Sequence, residues 1–121
     1  MISREEVGAV VLAALETVWD NVYPDACVTD KPPDEYVVFI LDGYSRVLSS
    51  DNEDKIAEQE IEVNILSRNF LDNNQKIRQT RKALIGAGLD NVTFLTQFYE
   101  PNSGKRHLVI TATISIDLGV E

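Results

Sequence analysis

The sequence is short of the residues on which most catalytic chemistry is built. Its 121 residues hold one cysteine, one histidine, one methionine and one tryptophan. The single thiol, Cys27, excludes an internal disulfide and suits a reducing compartment, where it serves as a small buried hydrophobe. The single histidine, His107, stands beside Arg106 at the start of a strand-like run. It has no evident partner in the sequence and reads as exposed, which is weak ground for a general base. Phosphate-cradling glycine loops, nucleophile elbows, paired-cysteine metal spacings and zinc-protease helices are all missing. No catalytic, cofactor-binding or metal-ligating residue is therefore assigned, and an enzyme is not expected.

Long apolar runs are missing as well, so no membrane span is expected. Arg4, Glu5 and Glu6 interrupt the first residues before any apolar core of a secretory signal. Basic residues are few: 11 Lys and Arg against 20 Asp and Glu, a net charge of −9. That balance opposes gripping the phosphates of nucleic acid or docking on anionic lipid. It fits a surface for a basic partner, a surface that lies near DNA without holding it, or plain solvation.

What is present describes one globular domain of ordinary composition, 44% apolar and 26% charged, with enough chain for a core of its own. Ser3 with Glu6 three residues on has capping-box spacing. Val7, Val10, Val11, Ala14, Leu15 and Val18 then recur at helical spacing, flanked by Trp19, with Glu5, Glu16 and Asp20 opposite. This is an amphipathic helix ending near Asn21, with one face for packing on a sheet. Tyr23, Pro24 and Asp25 form a connection, residues 26–29 are placed as a short strand, and Pro32 and Pro33 enforce a turn. Residues 36–41 are apolar on both faces, as in a central strand or one with a second interface, and Asp42, Gly43 and Tyr44 end it. Residues 45–54 are polar and read as a mobile loop, with continuation into a long hairpin arm as the alternative. Their acidic cluster lacks the spacing and the glycine of a calcium loop.

Residues 58–67 alternate: Ile61, Val63 and Ile65 face one way, Glu60, Glu62 and Asn64 the other, giving one wet, acidic sheet face. A second helix spans residues 70–87. Its buried stripe is Phe70, Ile77, Leu84 and Ile85, and Gly86 and Gly88 mark its end. It concentrates Lys76, Arg78, Arg81 and Lys82, with Arg81 inside the apolar sector and its stem snorkelling outward. Residues 92–99 form a strand, Pro101 and Gly104 supply a turn, and residues 107–117 form the clearest strand of the chain. In it Leu108, Ile110, Ala112, Ile114 and Ile116 share one face, and Val109, Thr111, Thr113, Ser115 and Asp117 share the other. The predicted fold is α+β, in the order α-(β)-β-β-α-β-β. A mixed or mostly antiparallel sheet of four to five strands carries both helices on one face.

The last hairpin carries a resemblance. A strand ending Gln97-Phe98-Tyr99-Glu100-Pro101, a turn through Ser103-Gly104 and a strand opening Arg106-His107-Leu108-Val109-Ile110 resemble the end of small phage tail proteins. These are the tail-completion or tail-terminator proteins of long-tailed, non-contractile phages and prophages, and element order and length agree over most of the chain. Head-closure and neck proteins have similar size and remain an alternative. So does an acidic binding module that masks a basic partner. The resemblance implies a structural virion subunit, made in the host cytoplasm and placed at the head-proximal end of the tail. It implies a ring, usually of six copies, that caps the tail-tube protein, docks a head-completion or connector protein, and lets DNA pass without specific binding. It also implies an interface built partly from sheet edges. A ring needs two different complementary patches per subunit. The candidates are Lys76, Arg78, Arg81 and Lys82 on one side and Glu58, Glu60 and Glu62 on the other. Asp51, Glu53 and Asp54 are candidates for a loop lining the lumen or ordering on assembly.

Overall fold

The alternation of the last strand decides where the sheet has its centre. The computed structural model describes residues 2–25, 31, 33–47, 56–68 and 74–117. Among them the chain runs β1 (Ile2–Ser3), a 3-10 turn (Arg4–Glu6), α1 (Val7–Glu16), β2 (Val22–Pro24), β3 (Glu35–Val47), β4 (Ile56–Ser67), α2 (Asn74–Gly86), β5 (Asp90–Glu100) and β6 (Lys105–Asp117). The strands form one mixed sheet. β6 lies antiparallel to β4 on one side. On the other side it pairs with β5, antiparallel, and with β1, parallel, at its far end. β4 continues antiparallel to β3, and β2 closes that side in parallel.

Leu108, Ile110, Ala112, Ile114 and Ile116 of β6 are all buried. They join Ala57, Ile61, Val63 and Ile65 of β4, Val37 and Phe39 of β3, and the α1 residues Val7, Val11, Ala14 and Leu15 in a single core. Leu84 of α2 and Trp19 belong to the same core, so both helices cover the same inner face, as expected. Trp19 Nε1 donates to Thr80 Oγ1 at 2.8 Å, and Thr80 Oγ1 donates to the Lys76 carbonyl at 2.7 Å. The indole thus finds its buried partner on the other helix. The end of α2 is a Schellman motif. Leu89 N–H reaches the Leu84 carbonyl at 3.1 Å and Gly88 N–H the Ile85 carbonyl at 3.0 Å, with Gly88 at φ 100°. Leu84 and Leu89 are both buried, which supplies the apolar contact of that cap.

Several expectations are corrected. α1 ends at Glu16 rather than near Asn21, because Thr17 and Val18 N–H turn to the Ala14 and Leu15 carbonyls, and the Thr17 hydroxyl also takes the Ala14 carbonyl. Val22 to Pro24 is a strand rather than a connection, and Pro24 is tolerated there because, among the described residues, only one edge is paired. The strand expected over residues 36–41 runs on to Val47 through a bulge, where pairing jumps from Leu41↔Ile61 to Tyr44↔Gln59. The Gln59 side chain is buried and donates to the Asp42, Gly43 and Glu60 carbonyls, holding the bulge. Residues 45–47 of the expected mobile loop are therefore strand. The rest of that loop, the strand placed at residues 26–29, Cys27 and Phe70 lie outside the described residues. On α2 the covered side is Thr80 and Leu84 with Ile77, Ala83 and Ala87. Ile85 is 46% exposed and Arg81 is exposed, not snorkelling from an apolar sector.

Two predictions follow from these contacts. Thr80→Val leaves the buried Trp19 N–H without an acceptor and should cost about 1–3 kcal/mol in denaturant unfolding. Ser3 N–H and Oγ both donate to Glu6 Oε1, at 3.0 and 2.9 Å. The backbone bond first, and the hydroxyl second, hold the Glu6 carboxyl below its ordinary value of 4.5. A depressed carboxyl adds stability above its unfolded value and loses it as pH falls through the folded one. Wild-type melting temperature should therefore fall more steeply than that of Glu6→Gln on acidification below 4.5.

Candidate functional site

The parity of β6 fixes what the outer face of the sheet carries. Across β4, Glu58, Glu60 and Glu62 pair with Ser115, Thr113 and Thr111 of β6, on the side away from the helices. Their cross-strand neighbours on β6 are neutral hydroxyls, so the acidic row is not neutralised there. Glu62 Oε2 accepts from Asn64 Nδ2 at 3.1 Å, and Glu60 is exposed.

The outer face also gathers a chain of side chains that sequence reasoning missed. His107 Nδ1 meets Glu100 Oε2 at 3.0 Å, and Nε2 meets Asn64 Oδ1 at 2.7 Å. Asn64 is itself oriented by donating to Glu62, and Ser103 Oγ donates to Glu100 Oε1 at 3.2 Å. The Phe98 ring lies 4.8 Å from the imidazole, tilted by 42°. The expectation of an exposed, partnerless histidine is corrected: its side chain is only 17% exposed and both ring nitrogens are occupied. The signal was present in the turn. Residues 101–104, with Gly104 at φ 70°, set Glu100 opposite Lys105 and Phe98 opposite His107. That register puts the carboxylate and the imidazole on one face. The Asn64 contact is long-range and was not legible.

The basic residues of α2 divide into two groups. Lys76 Nζ pairs with Glu35 Oε1 at 3.0 Å and lies 4.9 Å from the centre of the Trp19 ring, so it is engaged within the subunit. Arg78, Arg81 and Lys82 are exposed and make no ion pair or hydrogen bond among the described residues. They share a face with Ile85. This surface lies on the helix side of the molecule, whereas Glu58, Glu60 and Glu62 lie on the outer side of the sheet. The structure therefore does not bring the two sets together within one chain. Asp51, Glu53 and Asp54 lie outside the described residues.

A third surface was not singled out from the sequence. β5 is paired only to β6 among the described residues, and it exposes Phe94 (40%), Leu95 (59%), Phe98 (43%) and Tyr99 (54%). Two register shifts break its ladder, with Asn91 at φ 55° beside the first. An edge this long and apolar is a ready template for another chain. Among the described residues no group of three or more His, Cys, Asp or Glu is arranged to hold a metal ion, and no helix is long and apolar enough to cross a membrane.

No family model and no curated protein matches the chain. Among solved structures it is similar to the sheath/tube terminator, in the extended state, of an extracellular contractile injection system (PVC). The match has a TM-score of 0.47 and 17% identity, and it covers 98% of this chain and 57% of that one. This chain thus spans little more than half the length of that neighbour.

The histidine chain predicts an asymmetry. His107→Leu leaves the buried Asn64 side chain without its imidazole partner and should cost about 1–3 kcal/mol. Glu100→Gln alters a partly solvated pair and should cost about 0–1 kcal/mol. Urea titrations of the two variants beside wild type check the order.

Proposed function

We propose that this chain is a structural, non-catalytic subunit that assembles with copies of itself into a ring and caps a phage-like tail tube at its head-proximal end. The observation that carries the reading is the β5 edge. Eleven residues of strand paired only to β6 among the described residues, with four large exposed apolar side chains, are a liability in a lone chain and an interface in an assembled one. At the opposite side of the sheet β2 covers only the start of β3, pairing at Val37, Val38 and Phe39. The two ends of the sheet are therefore different surfaces, as a head-to-tail ring requires.

The resemblance of the β5–β6 hairpin to tail-terminator proteins supports the same reading. The neighbour named above is a sheath/tube terminator. The net charge of −9 suits a ring that DNA traverses, since an acidic surface repels the phosphate backbone. In this reading the ring has six copies, as the resemblance implies, and contacts the tube protein on one side and a head-completion protein on the other. The sole histidine is held at both nitrogens by Glu100 and Asn64, which suits a positioning role in the hairpin better than a free base.

The purified protein should show a concentration-dependent mass in light scattering, rings in negative stain, and binding to the ends of isolated tubes. Leu95→Lys should lower the assembled mass while leaving the thermal melt close to wild type, because Leu95 is exposed in the subunit. One monomer mass at every concentration, with no tube binding, overturns the reading.

A further inference from the structure

The outer face holds a groove of about 300 Å³ between the β3 bulge and the first β5 bulge, bounded by Asp42, Glu60, Asn91, Thr93, Thr111 and Thr113. Its chemistry is lopsided. Asp42 and Glu60 are exposed, and their carboxylates have no ion pair or hydrogen bond among the described residues. The hydroxyl of Thr93 donates to the Asn91 carbonyl at 3.1 Å, and that of Thr113 to the Asp90 carbonyl at 3.4 Å. With their protons directed to the chain, these oxygens are left as acceptors, although Thr113 Oγ1 also receives Asn91 Nδ2 at 3.0 Å. Beside Ile61 and Ala112, the polar lining of the groove is thus rich in acceptors, two of them anionic. It suits a group that only donates, and a guanidinium does so in a fixed fork.

The matching surface is on the same chain and cannot reach the groove. Arg78, Arg81 and Lys82 stand at i, i+3 and i+4 on the exposed side of α2, with no ion pair or hydrogen bond among the described residues. Like charges at that spacing repel one another mildly. In a chain of net charge −9 they are an exposed cationic cluster, with Ile85 supplying apolar contact beside them. α2 packs on the inner face of the sheet and the groove opens on the outer face, so the two surfaces belong to opposite sides of one subunit.

We propose that the Asp42–Glu60 groove of one copy receives the Arg78–Arg81–Lys82 face of α2 from the next copy, with an arginine guanidinium seated between the two carboxylates. The inference rests on the ring reading above and deepens it. It makes the contact head-to-tail, assigns the two surfaces and adds Asp42, which sequence patterning does not single out. Of the acidic row, Glu60 borders the groove while Glu58 and Glu62 do not.

The test is a charge-swap cycle on the full chain, read by sedimentation velocity across a concentration series. Arg81→Glu and Glu60→Arg should each weaken self-association by about tenfold or more. Combining them should restore it to within about threefold of wild type, because the swapped charges meet again. Both positions are exposed, and circular dichroism melts confirm that each variant folds. Carbodiimide cross-linking of assembled wild-type protein should join Lys82 to Glu60 or Asp42 between subunits. If wild type assembles while Arg81→Glu assembles equally well, or the double variant stays dissociated, the socket assignment falls and the ring reading stands. If wild type never assembles, both fall.

Discussion

Burial of the inner row of β6 is the constraint on which the rest of this molecule depends. Leu108, Ile110, Ala112, Ile114 and Ile116 sit between β4 and the β5–β1 side, under the stripe Val7, Val11 and Leu15 of α1. Fully burying one such aliphatic side chain contributes about 1.5–3 kcal/mol, against about 0–1 for an exposed ion pair. The apolar row therefore dictates parity, and the charges follow. Once Ile110 and Ile61 point inward, Thr111, Glu60 and Glu62 have to point outward.

That parity has an electrostatic consequence. Glu58, Glu60 and Glu62 stand on the outer face and Arg78, Arg81 and Lys82 on the solvent side of α2, with the sheet and core between them. Within one chain they do not meet, and each set is left to solvent. In the ring reading the same separation becomes an advantage, because a closed head-to-tail contact needs complementary surfaces on opposite sides of the subunit. The β5 strand, paired only to β6 among the described residues, adds what charge alone does not supply: exposed apolar area along one side of the sheet. The His107–Glu100–Asn64–Glu62 chain stabilises the hairpin end of that edge and ties it back to β4.

Much of the fold was legible. The alternation of β4 and β6, the stripe of α1 and the glycine stop of α2 are local patterns with a single physical solution each. What misled were places where a non-local partner overrode the local pattern. The side of α2 that is covered is chosen by Trp19, whose indole needs Thr80, so a threonine is buried and two alanines are partly buried while Ile85 is left out. β3 outruns its apolar segment because β4 offers a ladder as far as Ile56 and Gln59 holds the bulge on the way. Val22 to Pro24 reads as a connection until β3 lies alongside it. At the candidate surfaces, the charged residues on β4 and α2 were named from sequence. The exposed β5 edge and the Asp42 contribution were not, because both depend on which strand has a neighbour and where a bulge turns the chain.

The sequence by itself determined the long strands β4, β5 and β6 and the bodies of both helices, which face of β4 and β6 is apolar, and that acidic and basic clusters lie on different elements. These follow from periods of two and 3.6 residues, which are properties of neighbouring positions. Only the tertiary structure decided that His107 is held between Glu100 and Asn64, that Lys76 is engaged within the subunit while Arg78, Arg81 and Lys82 are not, and that β5 is left as an edge. Each of those outcomes depends on contacts between segments far apart in the chain, and no local pattern encodes which partner arrives.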